Sequence, residues 1–507
     1  MAAHGITRTP ANELATVEYP VGCRMPVTEM LSEWCGDHRS EAATNSPTHR
    51  GMSTLVGMES ESPVERLVFY PFAYALLDDE LTNYCWYCLG DEESLKKCSG
   101  CSRAQFCGKK CQSLGWKDHK IECKALKELA GKNIPDVEVR LLGRIVARHQ
   151  TIESGKADKD PTFYLDHTSR RTIMELACHT EKMRQDAQAW RKFESIYERL
   201  TTFYGQKALA DKDTVFELHC RNYINRHAIS DKAYLKEIGK GLYLDLCAYD
   251  HSCAPNTIYS CNGFIATLRP LSSNVNIHDT TTTFYSYIDL FASKEQRKRM
   301  LKETWYFDCQ CSRCSDDTEH VLTSALCDSC KKPLCIFGSR ATAHAQDTTC
   351  PNCNTVCSKE RVMEAVKTMR FIDRILERNE FDLMSTAIAR NFLSDLLTRY
   401  ATILSPVNIY YCRLIQAIIP RIDSTDQEDL LGYHLDALEC MKVCYPLNHP
   451  ALAFHLMNIG ILCTNLNKKE EATDYLTQSQ SMLNFVLGDD HFMSNANRKH
   501  LDRANAL

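Results

Sequence analysis

Apolar and polar positions divide the chain into helical stretches and a strand-rich middle. Short runs rich in β-branched and aromatic residues over 223–291, such as NTIYS, GFIATL and TTTTFYSYI, predict strands. Helical spacing with few Gly or Pro residues predicts a helical segment over 124–222, with a polar loop at 147–163 inside it. Residues 360–507 are helical in pattern, and two long helices flank a turn-like LNKKEE at 466–471. We therefore expect an α+β fold class with an all-α C-terminal domain.

The N-terminal part of the chain shows less periodicity in its apolar and polar positions. Residues 1–44 are mixed and polar without periodicity, which predicts a poorly ordered extension. VERLVFYPFAYALL at 64–77 predicts a strand and its exit. The N-terminal MAAHGITRTPANELATVEYP has no apolar region of a signal peptide, and no stretch approaches the roughly 18 apolar residues of a membrane helix. We expect a cytoplasmic or nuclear protein with no membrane partner.

The composition is ordinary for a soluble globular protein. The chain has 507 residues, of which 44% are apolar and 25% are charged, and this length suits roughly two to four domains. The formal net charge is -5. An acidic chain has no overall field that attracts DNA or acidic membranes, so DNA binding would require a local basic patch.

Cysteine is the residue type that changes this picture most. The chain contains 27 cysteines, and many of them fall in CxxC or CxC pairs. A chain without a secretory signal belongs in a reducing compartment, where disulfides are rare. In that setting the pairs predict zinc–thiolate sites and argue against a disulfide framework.

The strongest of these signals is a run of eight potential ligands between Cys85 and Cys123. Zinc takes four N or S ligands in a tetrahedron, and a gap of two or three residues lets both members of a pair reach one ion. Eight ligands in four such pairs therefore predict two zinc ions. The ligands are Cys85, Cys88, Cys98, Cys101, Cys107, Cys111, His119 and Cys123.

A second run of cysteines, over 327–357, has the spacing of a zinc ribbon. Its two CxxC knuckles predict a further, structural zinc ion that joins the preceding segment to the helical end. Cys335 and Cys357 lie close enough in sequence to compete as ligands, so more than one ligand set is open. The knuckles consist of Cys327 and Cys330 and of Cys350 and Cys353.

The first cysteine run also resembles a known zinc module. CSGCSRAQFCGKKCQSLGWKDHKIEC matches the MYND finger closely, and the match includes Phe106 and Trp116. The resemblance implies that the two ions interleave along the chain. One would be held by Cys85, Cys88, Cys107 and Cys111, and the other by Cys98, Cys101, His119 and Cys123.

Three further motifs follow in order. The stretch from Ile238 to DHSCAPN resembles the part of SET domains that ends in N-H-S-C-x-P-N. FYSYIDLF at 284–291 resembles the segment that carries the SET tyrosine, and WYFDCQCSRC at 305–314 resembles the post-SET motif. Together with the finger, these motifs make roughly residues 45–507 similar to the SET-and-MYND-domain (SMYD) protein-lysine methyltransferases.

The resemblance implies a β-rich SET domain that is interrupted by a MYND finger and a helical insertion. A cysteine-rich post-SET segment and an all-α TPR-like domain would follow it. The expected segments are the extension at 1–44, a divergent N-terminal part of SET at 45–84, the MYND finger at 85–123, the helical insertion at 124–222, the SET core at 223–291, the post-SET motif at 305–314, the ribbon-like zinc segment at 327–357 and the TPR-like domain at 360–507.

The resemblance also implies which residues carry out the chemistry. Tyr287 would be the catalytic tyrosine and would contact S-adenosyl-L-methionine. The rest of the cofactor pocket would comprise Arg50, Met52, Asn225, Cys247, Asp250, His251 and Phe307. A third zinc ion would be bound by Cys253, Cys309, Cys311 and Cys314, and would tie the post-SET segment over the active site.

The implied reaction is methyl transfer from a sulfonium carbon to a lysine amine of a histone or another protein. The amine must be neutral, and an apolar channel beside a sulfonium cation lowers its pKa by desolvation and by like-charge repulsion. Alignment of amine, methyl and sulfur supplies much of the remaining rate. The alternative is a catalytically inactive SET-fold adaptor that binds partners, including proline-rich peptides, through the finger and the helical end. DNA is the least favoured partner, because the chain is acidic.

Two positions depart from the family pattern at the cofactor site. Asp250 stands where the family has Asn; an ionised Asp offers only acceptors, so it would repel the cofactor's carboxylate. The family's G-x-G turn falls on Gly51, Met52 and Ser53, so its second glycine is replaced by serine. Serine is strained where a positive φ is required. Both departures concern cofactor binding and leave the expected fold unchanged.

Overall fold

The computed structural model describes residues 65–129, 133–156, 169–234, 236–316, 318–336 and 347–507. The predicted extension at 1–44, the first half of the segment at 45–84, and the predicted cofactor residues Arg50 and Met52 lie outside the described residues. The altered turn at Gly51–Ser53 lies outside them as well.

Two antiparallel three-stranded sheets form the centre of the protein. One has the order β1-β9-β8 and the other the order β2-β6-β5. Both sheets join a short N-terminal segment to the strand-rich middle of the chain. The strands are β1 (Leu67–Phe69), β2 (Ala73–Leu76), β5 (Arg226–Ser230), β6 (Glu237–Leu242), β8 (Thr257–Asn262) and β9 (Ile265–Pro270).

The single strand predicted over 64–77 is two strands in two different sheets. β1 pairs with β9, whereas β2 pairs with β6. Pro71 lies between β1 and β2 and has no N–H to donate, so one ladder ends there. Gly239 of β6 lets the two backbones approach closely, because a Cβ there would lie 2.7 Å from the Ala75 carbonyl oxygen.

Short two-stranded ladders surround these sheets. β7 and β10 form a parallel pair that lies beside the site described below. The other three pairs are antiparallel hairpins in the cysteine-rich segments. No ladder of this group is longer than two residues per strand in the described parts of the chain. The strands are β3 (Lys96–Lys97), β4 (Gln105–Phe106), β7 (Asp250–His251), β10 (Phe284–Tyr285), β11 (Ala325–Leu326), β12 (Pro333–Leu334), β13 (Thr348–Thr349) and β14 (Val356–Cys357).

Among the described residues, six helices lie between β4 and β5, and the last four of them pack in the core on one side of the β2-β6-β5 sheet. Their apolar residues form one core with Phe72, Ala73, Ala75 and Leu242 of the sheet. The helices are α1 (Lys109–Leu114), α2 (Trp116–Glu128), α3 (Val137–Glu153), α4 (Thr180–Gln185), α5 (Ala187–Tyr204) and α6 (Lys212–Asn225).

The polar loop predicted at 147–163 is wrong over its first part, because α3 continues to Glu153. The polar side chains in this last stretch of α3 find partners on the protein. Arg148 donates to the carbonyl oxygen of Phe72, and its guanidinium lies 4.5 Å from the centre of the Phe72 ring. The helix ends at Ser154, and Gly155 has φ +65°, the left-handed conformation that terminates helices. Residues 157–163 lie outside the described residues.

The C-terminal part of the described chain is helical. Helix α13 is buried along almost its whole length, from Pro450 to Thr464. It packs between α12 and α14, and the turn between α13 and α14 is shorter than predicted, since α14 begins at Lys469. The helices from the end of the strand-rich part onward are α7 (Lys294–Trp305), α8 (Ser312–Ser315), α9 (Lys359–Arg378), α10 (Thr386–Tyr400), α11 (Ile409–Ile418), α12 (Gln427–Cys444), α13 (Pro450–Asn465), α14 (Lys469–Val486) and α15 (Phe492–Asn505).

The protein is thus a helix-rich α and β protein with small sheets, in agreement with the predicted mixed class. Among the helices that the structure describes, none combines the length and the apolar composition needed to cross a membrane.

Candidate active site and its zinc centres

Sixteen predicted metal ligands form four groups of four. Within each group the ligand atoms all lie within 4.8 Å of one another. The groupings follow the interleaved order implied for the finger. They are Cys85, Cys88, Cys107 and Cys111; Cys98, Cys101, His119 and Cys123; Cys253, Cys309, Cys311 and Cys314; and Cys327, Cys330, Cys350 and Cys353.

The distances within these groups fit zinc. A tetrahedral ion with Zn–S bonds of about 2.3 Å places its sulfurs about 3.8 Å apart. The Sγ atoms of Cys98 and Cys123 lie 3.8 Å apart, and those of Cys330 and Cys350 lie 3.7 Å apart. Sγ of Cys253 lies 4.0 Å from that of Cys309. All four groups therefore match the ligand types and the separations that zinc requires, and the predicted use of zinc is confirmed.

The ligands of the finger are held by short elements with aromatic packing. The β3–β4 hairpin carries the second knuckle, and α2 carries His119 and Cys123. The rings of Phe106 and Trp116 lie 5.5 and 5.9 Å from the His119 ring. Burial lowers the pKa of His119 to about 4, so its imidazole is neutral and available to a metal.

The fourth group answers the question that the sequence left open. Cys335 and Cys357 are not among its ligands. Cys357 lies in β14, where it pairs with Thr348, and the hairpin of β13 and β14 brings Cys350 and Cys353 to the other knuckle instead.

The third group is the one that lies beside a candidate active site, which is referred to below as the central cluster. Cys253 follows β7 directly, and the other three ligands follow α7. Backbone N–H of Cys253 points at Cys311 Sγ, 3.4 Å away. Residues far apart in sequence are therefore joined at the edge of a cavity.

That cavity encloses about 370 Å³ of space, including the solvent at its open mouth. It lies between the end of α6, the β5 strand and the segment after β10. Four aromatic side chains, those of Tyr259, Tyr285, Tyr287 and Trp305, form much of its wall. Its lining residues are Ile224, Asn225, Arg226, His227, Cys247, Tyr259, Tyr285, Ser286, Tyr287 and Trp305.

Tyr287 is held in this cavity at both ends. Its backbone N–H donates to Nδ1 of His251 at 3.0 Å, and its hydroxyl donates to the carbonyl oxygen of Tyr249 at 2.9 Å. Burial, and then the carboxylate of Asp250, raise the pKa of the Tyr287 hydroxyl well above its usual value. The side chain is therefore a neutral phenol whose oxygen still has lone pairs to offer.

Other predicted cofactor residues lie around Tyr287. Cys247 is a cavity-wall thiol whose pKa is raised to about 12 by burial, so it is neutral. Asn225 lines the cavity, and its side-chain amide donates to the carbonyls of Ala177 and Arg221. The structure therefore brings Asn225 and Cys247 to the cavity with Tyr287.

His251, Phe307 and Asp250 lie behind the cavity wall. The Phe307 ring lies 6.1 Å from the His251 ring and packs against the central cluster. Asp250 is exposed and pairs with Phe284 through the β7–β10 ladder. These three residues are not among those that line the cavity in the described part of the chain.

Trp305, His227 and Tyr285 are among the wall residues that were not predicted as site residues. Trp305 donates from Nε1 to the carbonyl oxygen of Ile224 at 2.9 Å, and its ring lies 5.7 Å from that of Tyr287. Nε2 of His227 lies 2.7 Å from the hydroxyl of Tyr285. Trp305 is the first residue of the WYFDCQCSRC stretch and could be noticed there, whereas a lone His or Tyr within a strand-rich run gives no signal.

The cavity chemistry fits a sulfonium cofactor. The faces of Tyr285, Tyr287 and Trp305 carry negative electrostatic potential and attract a cation. Burial keeps Cys247 as a thiol and lowers the pKa of His227 to about 4, and the cation in the lining, Arg226, is paired with Glu138. S-adenosyl-L-methionine, with its single sulfonium charge, suits such a wall.

Comparison with known proteins agrees with this site. The family model described as MYND finger matches residues 85–123. N-lysine methyltransferase SMYD2-B of Xenopus laevis is 24% identical over 433 residues, which cover 85% of this chain and 91% of that protein. N-lysine methyltransferase SMYD2-A of the same organism is 30% identical over 245 residues, which cover 48% of this chain and 54% of that protein.

A human protein also matches most of this chain. Histone-lysine N-methyltransferase SMYD3 of Homo sapiens is 24% identical over 431 residues, which cover 83% of this chain and 87% of that protein. The finger, the order of the zinc groups and these matches over most of the chain lead to one family. Over most of its length the chain is similar, at about a quarter identity, to N-lysine methyltransferases of the SET-and-MYND-domain (SMYD) type, and it carries their MYND finger.

Proposed function

We propose that the protein is an S-adenosylmethionine-dependent protein-lysine N-methyltransferase. The observation that carries this proposal is the placement of Tyr287, whose hydroxyl is anchored inside an aromatic cavity at the edge of the central cluster. Protein-lysine methylation also agrees with the names of the relatives.

The cofactor would be held by Asn225, Cys247 and Tyr287 in the cavity, with Phe307 behind them and with Arg50 and Met52, which lie outside the described residues. Bound there, S-adenosyl-L-methionine would supply an electrophilic methyl group. Tyr287 and Trp305 would shape the apolar passage for the lysine side chain. Removal of water from this passage favours the neutral amine, because desolvation lowers the pKa of an ammonium group.

Tyr287 has the hydrogen bonding needed to orient that amine. Its proton is committed to the Tyr249 carbonyl, so its oxygen accepts. A neutral amine that donates one N–H to this oxygen has its lone pair held in a fixed direction. Fixed alignment of nucleophile and methyl group is the main contribution that such a site makes to the rate.

The finer parts of the architecture follow from the same proposal. The two three-stranded sheets would be the SET core, the segment after α7 would be the post-SET motif, and α9 to α15 would be a TPR-like scaffold. A second cavity of about 570 Å³ lies between these parts. Tyr259, Tyr285 and Ser286 line both cavities, which makes the second one a suitable entrance for a protein substrate.

The finger would act as a second contact for partner proteins. Leu114, Trp116 and Ile121 expose about two-fifths of their surface each, at 42%, 41% and 42%. Exposed apolar side chains of this kind suit a proline-rich peptide. Zinc–thiolate groups require a reducing compartment, so we propose a cytoplasmic or nuclear location for the protein.

The test is methyl transfer by the zinc-loaded full chain from labelled cofactor to a library of lysine-containing proteins and peptides. Tyr287→Phe should bind cofactor about as well as the wild type and lose turnover, because only the orienting oxygen is removed. Tyr306→Phe is the matched control; its hydroxyl lies 3.3 Å from Asp186, and its loss should leave turnover unchanged. Equal turnover in Tyr287→Phe and wild type would refute the role of Tyr287, and absence of cofactor binding would favour the adaptor.

A further inference from the structure

We propose that His251 is a positioning residue that links the central zinc cluster to Tyr287, so that the ion at this cluster fixes the place of the catalytic tyrosine. The proposal deepens the proposed function and rests on it. It also changes the role expected for His251, from a cofactor contact to a hydrogen-bonded link.

The imidazole is engaged at both nitrogens. The backbone N–H of Tyr287 can only donate, and it reaches Nδ1 of His251 at 3.0 Å, so Nδ1 is the unprotonated nitrogen. The ring proton is therefore on Nε2. Nε2 lies 3.2 Å from Sγ of Cys253, so it donates to that sulfur. Both hydrogen bonds select a single neutral tautomer.

The surroundings leave the ring little freedom. His251 is only 9% exposed and lies 5.3 Å from the Tyr287 ring. The parallel pairing of β7 and β10 puts His251 opposite Tyr285. Tyr287, which donates its backbone N–H to His251, lies two residues after Tyr285. The backbone N–H of Ser252, the residue after His251, donates to the carbonyl oxygen of Tyr285 and so also joins the two strands.

The proposed link depends on a metal-bound sulfur as the acceptor of the hydrogen bond from His251. Zinc holds cysteine as a thiolate, and a thiolate accepts a hydrogen bond much better than a thiol does. In the presence of the ion, Cys253 is fixed by Cys309, Cys311 and Cys314. His251 then transfers this fixed position to the backbone of Tyr287, while the Tyr249 carbonyl fixes the hydroxyl end.

The link predicts a specific kinetic signature. A tyrosine that is free at its backbone end still lines the cavity, so substrate and cofactor still bind. The orientation of the amine is lost, so kcat falls while KM changes little. Groups that orient a metal ligand typically change activity by about 10- to 100-fold when they are replaced.

The first test uses two substitutions that each keep one half of the link. His251→Asn places an acceptor near the position of Nδ1, and His251→Gln places a donor near the position of Nε2. Because the link needs both ends, we expect kcat to fall by about tenfold or more in each variant. Zinc content and cofactor affinity should stay close to the wild-type values. His278→Asn is the control, since His278 is exposed and contacts Glu65, and it should have wild-type turnover.

The second test does not depend on turnover. Histidine labelled with 15N should show His251 as the Nε2–H tautomer in the zinc-loaded protein. Cobalt(II) in place of zinc should give a thiolate charge-transfer band that shifts in His251→Asn, where the N–H···S bond is lost, and shifts less in His251→Gln.

These measurements separate the two proposals. If the wild-type protein transfers no methyl group, the proposed function fails, and the tautomer and the cobalt band alone decide the link. An Nδ1–H tautomer, or a cobalt band that is identical in wild type and His251→Asn, would overturn the link. Wild-type kcat in His251→Asn would overturn it as well, and a parallel loss of zinc, cofactor affinity and kcat would reduce His251 to a structural residue.

Discussion

The MYND finger and the helical C-terminal part of this protein are stabilised in different ways. The finger, at 85–123, has ladders of two residues per strand and holds its shape through two groups of metal ligands. None of the four ligand groups of the described residues lies in the C-terminal helices, and α13 is buried from Pro450 to Thr464 and packs among its neighbours. Apolar burial stabilises a structure roughly in proportion to the area removed from water. Besides its cysteines, the finger buries five apolar residues, Trp86, Tyr87, Leu89, Ala104 and Phe106. Cysteine therefore has a different role in each part.

Cysteines in the C-terminal helices illustrate the contrast. Cys412, Cys440, Cys444 and Cys463 are all buried in the main apolar core. None of them belongs to a four-ligand group among the described residues. They behave as small apolar residues, whereas the cysteines of the finger position its backbone.

The central cluster lies where these two kinds of structure meet. Arg313, between two of its ligands in sequence, donates to the carbonyl oxygen of Cys253 at 3.1 Å and to that of Cys444 at 2.8 Å. Cys444 ends α12, where the helix dipole favours a cation. Glu319 binds both Arg313 and the fully buried Arg297. The metal-held and the apolar parts are thus joined by a buried ionic network.

The largest effect expected is that of zinc removal. A strong chelator should unfold 85–123 and the central cluster, because the metal supplies most of their stability, and should leave α13 folded. Hydrogen exchange resolved by peptide mass measures both regions at once. Unfolding of α13 together with the finger would contradict the separation between the two parts.

The next effect tests the junction. Glu319→Gln leaves the buried Arg297 without its charge partner, and loss of one member of a buried pair destabilises by about 3 kcal/mol or more. The control is Glu194→Gln, which removes a half-exposed contact with Lys212 and should change stability by less than about 1 kcal/mol. Denaturant unfolding gives both values, and equal values would refute the junction.

A smaller effect tests packing among the C-terminal helices. A Cβ at Gly460 of α13 would lie 2.5 Å from Cγ of Leu476, so Gly460→Ala should destabilise by about 1 to 3 kcal/mol. Gly432 of α12 has open space at the same position. Gly432→Ala should therefore stabilise by about 0.5 to 1 kcal/mol, since it removes backbone entropy from the unfolded chain. Thermal unfolding should shift in opposite directions, and a shift in the same direction would contradict this packing.

The last effect is a pH dependence of the same helices. Burial lowers the pKa of His449 to about 3, so the folded state holds it neutral while the unfolded chain protonates it near pH 6.5. Its contribution is complete above pH 6.5 and is lost as the pH falls from there towards about 3.

His449→Asn isolates this contribution. The imidazole Nδ1 accepts from the Ala451 N–H at the start of α13, and Asn is an equally good cap. The variant should lose stability with acid less steeply, by up to about 1.4 kcal/mol per pH unit. Hydrogen exchange in α13 between pH 6.5 and 5 measures the slope, and equal slopes in variant and wild type would contradict the assignment.

The sequence predicted the zinc ligands well because ligand pairs are local. A CxxC knuckle shows both ligands within four residues, and the sixteen predicted ligands are grouped as predicted. The contribution of Cys253 to the central cluster came from the family resemblance, since it lies far from Cys309 in the chain. The competition with Cys357 was decided only by the register of a two-residue hairpin.

The cavity wall was less predictable because its geometry depends on distant contacts. His227 and Tyr285 meet across two strands, and neither residue belongs to a motif. The engagement of His251 at both nitrogens requires the β7–β10 pairing, which no local pattern shows. The end of α3 was predicted too early because Arg148 and its neighbours look like loop residues until their partner Phe72 is known.

The central claim is that this divergent site binds the methyl donor, and calorimetry of S-adenosyl-L-methionine with the zinc-loaded full chain tests it most directly. Our account predicts near one-to-one binding with micromolar affinity, with the same affinity in Tyr287→Phe. No binding to protein whose folding and zinc content are verified would contradict the account, and the altered positions Asp250 and Ser53 would then be the first to revert.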